Sequence, residues 1–190
     1  MEILRLVLFL GLVFHKLVWE ALKRGQPEKP VRQRSPQKPA VRLAKAVKVV
    51  ALLFLIVQTL FLDILPISSQ PSLLRLSGTA IYFVGLATAI VGRLQLGKNW
   101  ANLEDYKVSS EQTLVTNGIY RYIRHPIYTG DILLLLGLEL ALNSWLVLSV
   151  ILVVVVVVRQ AMAEEVLLST MFPGHDAYRR RTKMFIPGVV

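Results

Sequence analysis

Six consecutive valines, Val153 to Val158, close an uncharged run that begins at Trp145. In water such a run is a poor helix former, because β-branched side chains lose rotamer freedom against the preceding turn. In hydrocarbon the backbone finds no other donor or acceptor, so a helix is what satisfies it. Leu76 to Gly92 is a second run, 17 residues without a charge. Val49 to Leu62 is the centre of a third, with Lys45 and Lys48 before it and Pro66 after it. Leu6 to Phe14 is shorter, and no small-residue cleavage site follows it, which argues against a signal peptide. With Trp19 as an interfacial anchor, Ile3 to Leu22 reads as a helix that snorkels its charges. Ile132 to Leu142 completes the set, and only Asn143-Ser144 separates it from Trp145. So tight a connection predicts an antiparallel helical hairpin. From Trp145 to Val158 the rise is about 21 Å, against roughly 30 Å of hydrocarbon, so the last helix must continue through Gln160. The expected fold is an all-α integral membrane protein with about five transmembrane helices, the last two forming the hairpin.

Composition agrees. The chain is 54% hydrophobic and 18% charged, with a mean hydropathy of +0.55. That excludes disordered and collagen-like classes and is too apolar for an ordinary soluble domain. The net charge of +10 on its own would suggest nucleic acid, but the basic residues cluster between apolar runs, which points to lipid head groups and topology. Without cysteine the chain can form neither disulfides nor Cys-ligated zinc, and His15, His125 and His175 are too scattered for a histidine metal cluster.

Charge also predicts orientation. Lys23 to Lys48 holds nine Lys/Arg, whereas Pro66 to Ser72 and Asn143-Ser144 hold none. Further basic residues follow the third run (Arg93, Lys98, Lys107, Arg121, Arg124) and the last (Arg159, Arg179, Arg180, Arg181, Lys183). Five spans with the N-terminus outside and the C-terminus cytoplasmic fit this asymmetry. The linker within it, Gly25 to Pro39, has four prolines and no apolar periodicity. The polybasic stretch over residues 23–42 reads either as a topology signal or as a site for anionic lipid head groups. Gly78, Gly85 and Gly92 recur every seven positions and read as a packing stripe.

Two polar segments, Leu96 to Tyr128 and Arg159 to Pro187, fall on one side and carry more His, Tyr, Arg and Glu than a topological loop needs. Asn117-Gly118 is a turn signal, and His125-Pro126 stops one helix before the next begins. Asp131 and Glu139 are carboxylates inside the first hairpin arm and read as functional candidates, or else as a solvated group near the cytoplasmic end for Asp131 and a snorkelling one near the far interface for Glu139.

The string TLVTNGIYRYIRHPIYTG (Thr113 to Gly130), the paired Glu164-Glu165 one hairpin later, and the tail FPGHDAYRRRTKMFIPGV resemble the isoprenylcysteine carboxyl methyltransferase family of integral membrane enzymes, with phospholipid N-methyltransferases as wider relatives. LGKNW (Leu96 to Trp100) is similar to bacterial members. The resemblance covers residues 96–190, which divides the chain into an N-terminal helical region, 1–95, and a methyltransferase region, 96–190. It implies S-adenosylmethionine as methyl donor, although no G-x-G of the soluble methyltransferases occurs. Carried over by position, it implies cofactor contacts at Gln112, Thr113, Leu114, Val115, Tyr120, His125, Pro126, Tyr128 and Glu164. It also implies catalytic roles for Arg159 and Glu164, and contact of Arg159 or Gln160 with a lipophilic acceptor entering from the bilayer. This chain departs from the family in having Gln160 where Arg is common, with Arg159 one position earlier, His175 where Tyr is common and Met184 where Arg is common. The acceptor stays open between an isoprenylcysteine-like carboxylate and a phospholipid amine. An NADPH-dependent sterol-type reductase and a non-catalytic binding module are further alternatives.

Overall fold

The computed structural model describes residues 2–24, 39–99 and 113–188. Among them the regular structure is helical, with only isolated bridges between extended residues. Six α-helices follow in order: α1 (Glu2–Arg24), α2 (Pro39–Phe61), α3 (Ser72–Leu96), α4 (Pro126–Ala141), α5 (Ser149–Met171) and α6 (His175–Arg181). Two helical stretches, Ser72–Asn99 and Trp145–Met171, are long and apolar enough to cross a membrane, while the apolar part of α2, Val49–Phe61, is shorter. Chain contacts divide the molecule into Met1–Ile64 and Leu65–Val190. The division by motif at residue 95 and this division by packing are different things: α3 carries only Leu96 of the motif region yet packs with α4, which lies within it.

In the first unit α1 does not snorkel all its charges. Arg5 is buried and donates to the backbone carbonyls of Gln58, Thr59 and Leu62 at 2.9–3.0 Å and to Asp63 at 2.5 Å. The last carbonyls of a helix have no intrahelical partner and carry the negative end of its dipole, so a guanidinium from a neighbouring helix satisfies both needs. A buried fork with several acceptors costs less there than an extended side chain reaching for water.

The second unit is organised by glycine. The stripe at Gly78, Gly85 and Gly92 on α3 meets Gly130 and Gly137 on α4, and the two helices run antiparallel. A Cβ built on Gly85 would sit 2.3 Å from the Leu134 nitrogen, and one on Gly137 would sit 2.2 Å from the Tyr82 nitrogen. Backbone therefore rests on backbone, the close approach that small residues permit in an apolar environment. The stripe is packing, as the sequence pattern suggested.

At one end of this pair, Asn143 joins two turns. It adopts φ +59°, a left-handed conformation that Asn tolerates. Its amide donates to the Ser68 carbonyl at 2.8 Å and its side-chain oxygen accepts from the Ser68 amide at 3.0 Å. The Trp145 amide donates to Leu65 O at 2.9 Å beside it. The chain then passes through a short 3-10 turn, Trp145–Leu148, capped by the Ser144 hydroxyl, into α5. The six valines are helical, and Ile151, Leu152, Val155 and Val156 are exposed. Glu139 is buried, 1% exposed, rather than reaching the surface as snorkelling would require.

Candidate active site

The functional side chains gather at the opposite end of α3, α4 and α5. Local sequence sets the first element. Gly118 has φ +58°, a left-handed conformation that favours glycine, and a Cβ there would push the end of the Gln95 side chain aside. The Gln95 side chain then accepts from the Ile119 amide at 2.8 Å. The 3-10 turn Gly118–Arg121 that follows buries Tyr120, whose hydroxyl donates to the Gly92 carbonyl at 3.2 Å. Pro126 begins α4 because its fixed φ and missing N–H suit a first helical position. His125 is thereby held just outside the helix.

The tail covers this junction. The amides of Arg124 and His125 donate to the carbonyls of Lys183 and Met184 at 2.8 and 3.1 Å, and the Lys183 amide returns to Tyr122 O at 3.2 Å. The Tyr178 hydroxyl donates to the Tyr120 carbonyl at 2.6 Å and the Thr129 hydroxyl to Phe185 O at 3.1 Å. Burial pushes the Tyr120 phenol up and holds that of Tyr178 at about 12, so both remain donors at neutral pH.

The two adjacent glutamates have different surroundings. Glu165 is enclosed: Arg124 Nε lies 2.5 Å away, Arg124 NH2 3.3 Å, His125 Nε2 3.3 Å and Arg179 Nε 3.4 Å. Arg124 also donates to the Thr182 carbonyl at 2.5 Å, so one guanidinium ties the segment before α4 to α5 and to the tail. Glu164 instead borders a cavity, accepting from the Tyr128 hydroxyl at 3.1 Å with His125 Nδ1 3.8 Å away. Tyr128 stacks on His125 with ring centroids 5.5 Å apart, and Gln160 donates its amide to the Tyr128 hydroxyl at 3.0 Å.

That cavity is where the expected cofactor residues meet. Thr113, Leu114, Val115, Tyr120, His125, Tyr128 and Glu164 all line it. Pro126, buried as the first residue of α4, does not line it. Gln112 lies outside the described residues. Gln160 reaches the site through Tyr128, whereas Arg159 is exposed on α5 and does not line the cavity. Sequence reasoning missed the remaining wall: Leu96, Asn99, Ile127, Leu167, Leu168, and, beyond α5, Phe172, His175 and Tyr178. The signal for α5 was available in its four-residue spacing from Glu164 to Leu168, which continues one helical face.

The wall chemistry fits an S-adenosyl compound. A carboxylate, an imidazole and a phenol stand on one side, suited to ammonium, carboxylate and hydroxyl groups. Leu114, Val115, Leu167, Leu168 and Phe172 offer an apolar slot for a flat base.

The fold is that of the intramembrane isoprenylcysteine carboxyl methyltransferases. The solved eukaryotic Ras methyltransferase of that kind superposes with a TM-score of 0.60 over 93% of this chain and 63% of its own, at 22% identity, a likeness of fold. The chain belongs to the phospholipid methyltransferase family, whose model matches residues 73–174, more than half of it. Among curated relatives, the cobalt-zinc-cadmium resistance protein CzcN of Cupriavidus metallidurans is 36% identical over 109 residues, 55% of this chain and 46% of the relative. The protein-S-isoprenylcysteine O-methyltransferase of Schizosaccharomyces pombe is 30% identical over 97 residues, 50% of this chain and 41% of the relative. The nickel-cobalt-cadmium resistance protein NccN of Alcaligenes xylosoxydans xylosoxydans is 36% identical over 110 residues, 55% and 47%. The matched stretch spans under half the length of each of these three relatives. The resemblance read from the motifs thus stands.

Proposed function

We propose that this protein is a membrane methyltransferase that uses S-adenosylmethionine to methylate the carboxylate of an isoprenylcysteine-like or other lipophilic acceptor. The observation that carries the reading is the convergence of Thr113–Val115, His125, Tyr128 and Glu164 from three separate segments on one cavity beneath the tail. When bound, S-adenosylmethionine supplies an electrophilic methyl group on a sulfonium. The protein's part is to hold two substrates in line and exclude water. Glu164 and Tyr128 would hold the cationic or hydroxyl groups of the donor, and His125 its carboxylate. Such an acceptor is ionised at neutral pH and needs no general base. Arg159, at the point where α5 leaves its valine run, would draw that carboxylate in through a bidentate contact, with Gln160 as an amide partner.

The second reading, a phospholipid amine as acceptor, is favoured by one feature: Glu164 and His125 adjoin each other at the cavity and could take the amine proton. In either case the acceptor enters laterally from the bilayer. Five spans, an external N-terminus and a cytoplasmic active site with its basic linker against anionic lipids complete the reading, on the charge asymmetry given above.

Calorimetry on the detergent-solubilised protein with S-adenosylhomocysteine and with NADPH tests this. Binding of the first alone supports the methyltransferase. Binding of NADPH alone makes it a reductase, and binding of neither makes it a non-catalytic module.

A further inference from the structure

His175 is a titratable residue of the cavity wall that the mechanism above does not use. It is 1% exposed, it begins α6, and it borders the same cavity as Phe172, Leu168 and Leu114. Its Nδ1 lies 2.8 Å from the Ser169 hydroxyl, and that hydroxyl lies 3.5 Å from the Asp176 carboxylate. A serine hydroxyl has one proton to give and two lone pairs to accept with. Directed toward the Asp176 carboxylate, that proton leaves the serine oxygen to accept from Nδ1–H. The neutral ring then keeps its lone pair on Nε2, the nitrogen not engaged by Ser169.

Electrostatics agree with a neutral ring. Burial disfavours the imidazolium first; Glu165 on α5 and Asp176 on the same helix oppose that, while Arg124 and Arg179 reinforce it, and the balance holds the group below its ordinary value. Leu114, Val115, Leu167, Leu168 and Phe172 give the cavity apolar lining, and the His175 amide donates to the Phe172 carbonyl at 2.9 Å, which keeps the histidine next to that part of it; Glu164 and Arg124 also line the cavity. A flat aromatic base suits these apolar residues, and His175 adds a ring-nitrogen acceptor beside them.

We propose that His175 is a ligand-binding residue, whose Nε2 accepts a hydrogen bond from the 6-amino group of the adenine of a bound S-adenosyl compound. This rests on the methyltransferase reading and adds base recognition to it. A site built to accept from an amino group rejects an analogue that presents a carbonyl there, because two acceptors then face each other.

The test is calorimetry at about pH 7.5 with S-adenosylhomocysteine and its 6-keto analogue S-inosylhomocysteine, on the full chain and on His175→Phe. The full chain should prefer the amino compound by about tenfold, as expected for leaving buried polar groups unpaired, and His175→Phe should lose the preference. Ser169→Ala should weaken it without abolishing it. If His175→Phe folds and keeps the preference, the proposal is overturned. Should that variant not fold, equal affinity of the unmodified protein for the two compounds overturns it equally. A chain that binds S-adenosylhomocysteine without preference refutes the base contact alone, whereas one that binds neither compound refutes the cofactor reading with it.

Discussion

Arg124 Nε lies 2.5 Å from Glu165 Oε1, with their side chains 8% and 4% exposed, and 41 residues of chain separate the two. Neither group is free to act on a ligand in the cavity by itself. Their pairing fixes His125 from behind, through the 3.3 Å contact to Nε2, and anchors the tail through Thr182.

Removing one partner leaves the other charge buried. Glu165→Gln or Arg124→Gln should therefore cost about 3 kcal/mol, the lower end for breaking a buried pair. Arg124→Lys keeps the charge but not the fork and should recover only part of the loss. Thermal unfolding in detergent reads the stability. Hydrogen exchange should show faster exchange at the Arg124, His125 and Lys183 amides in the variants, and unchanged protection there would remove the tail from the role given to it.

At the cavity, Glu164→Gln should lower S-adenosylhomocysteine affinity by about 1.5–3 kcal/mol, the range for a hydrogen bond to a charged group. Tyr128→Phe keeps the stack on His125 and loses only the hydroxyl, so its deficit should be smaller than that of Tyr128→Ala. His125→Ala should weaken binding as well. Equal affinities by calorimetry across folded variants would move the cofactor elsewhere.

For the acceptor, Arg159→Ala should reduce methylation of a prenylcysteine-type acid while leaving cofactor affinity within about twofold, since Arg159 stands off the cavity wall. Parallel rate and calorimetric measurements separate the two effects. Full activity toward an amine lipid in that variant would favour the alternative acceptor.

The helix seam makes a steric prediction. Gly85→Ala and Gly137→Ala each drive a methyl into backbone and should cost upward of about 3 kcal/mol, the high end for overpacking. Gly174→Ala, with φ −84° and open space around the position, should be close to neutral. Expression and melting temperature of the three variants check this ordering.

What the sequence disclosed is what short range or regular spacing encodes. The glycine stripe repeats every seven residues, and Asn117-Gly118 and His125-Pro126 mark a turn and a helix start through their own backbone preferences. Spacing alone does not separate Glu164 from Glu165, because one residue along a helix is a rotation of about 100°; it is the family resemblance that singles out Glu164, and Glu164 is the one that borders the cavity. The pairing of Arg124 with Glu165, the burial of Arg5 against the end of α2, and the place of His175 all join groups distant in the chain or set by how a helix is turned. Periodicity carries no record of such contacts. Arg159 shows the same limit: its neighbour Gln160 donates to the Tyr128 hydroxyl, while Arg159 is exposed and does not line the cavity.

The interleaved glycines of α3 and α4 have a mechanical result. Sliding one helix past the other by a turn would lift each glycine out of the gap it fills and drive leucine and tyrosine side chains against main chain. The pair therefore behaves as a single stiff plate, and no alkyl chain can slip through its seam. Under the proposed function, a lipophilic acceptor would therefore come round by α5, where Ile151, Leu152, Val155 and Val156 are exposed.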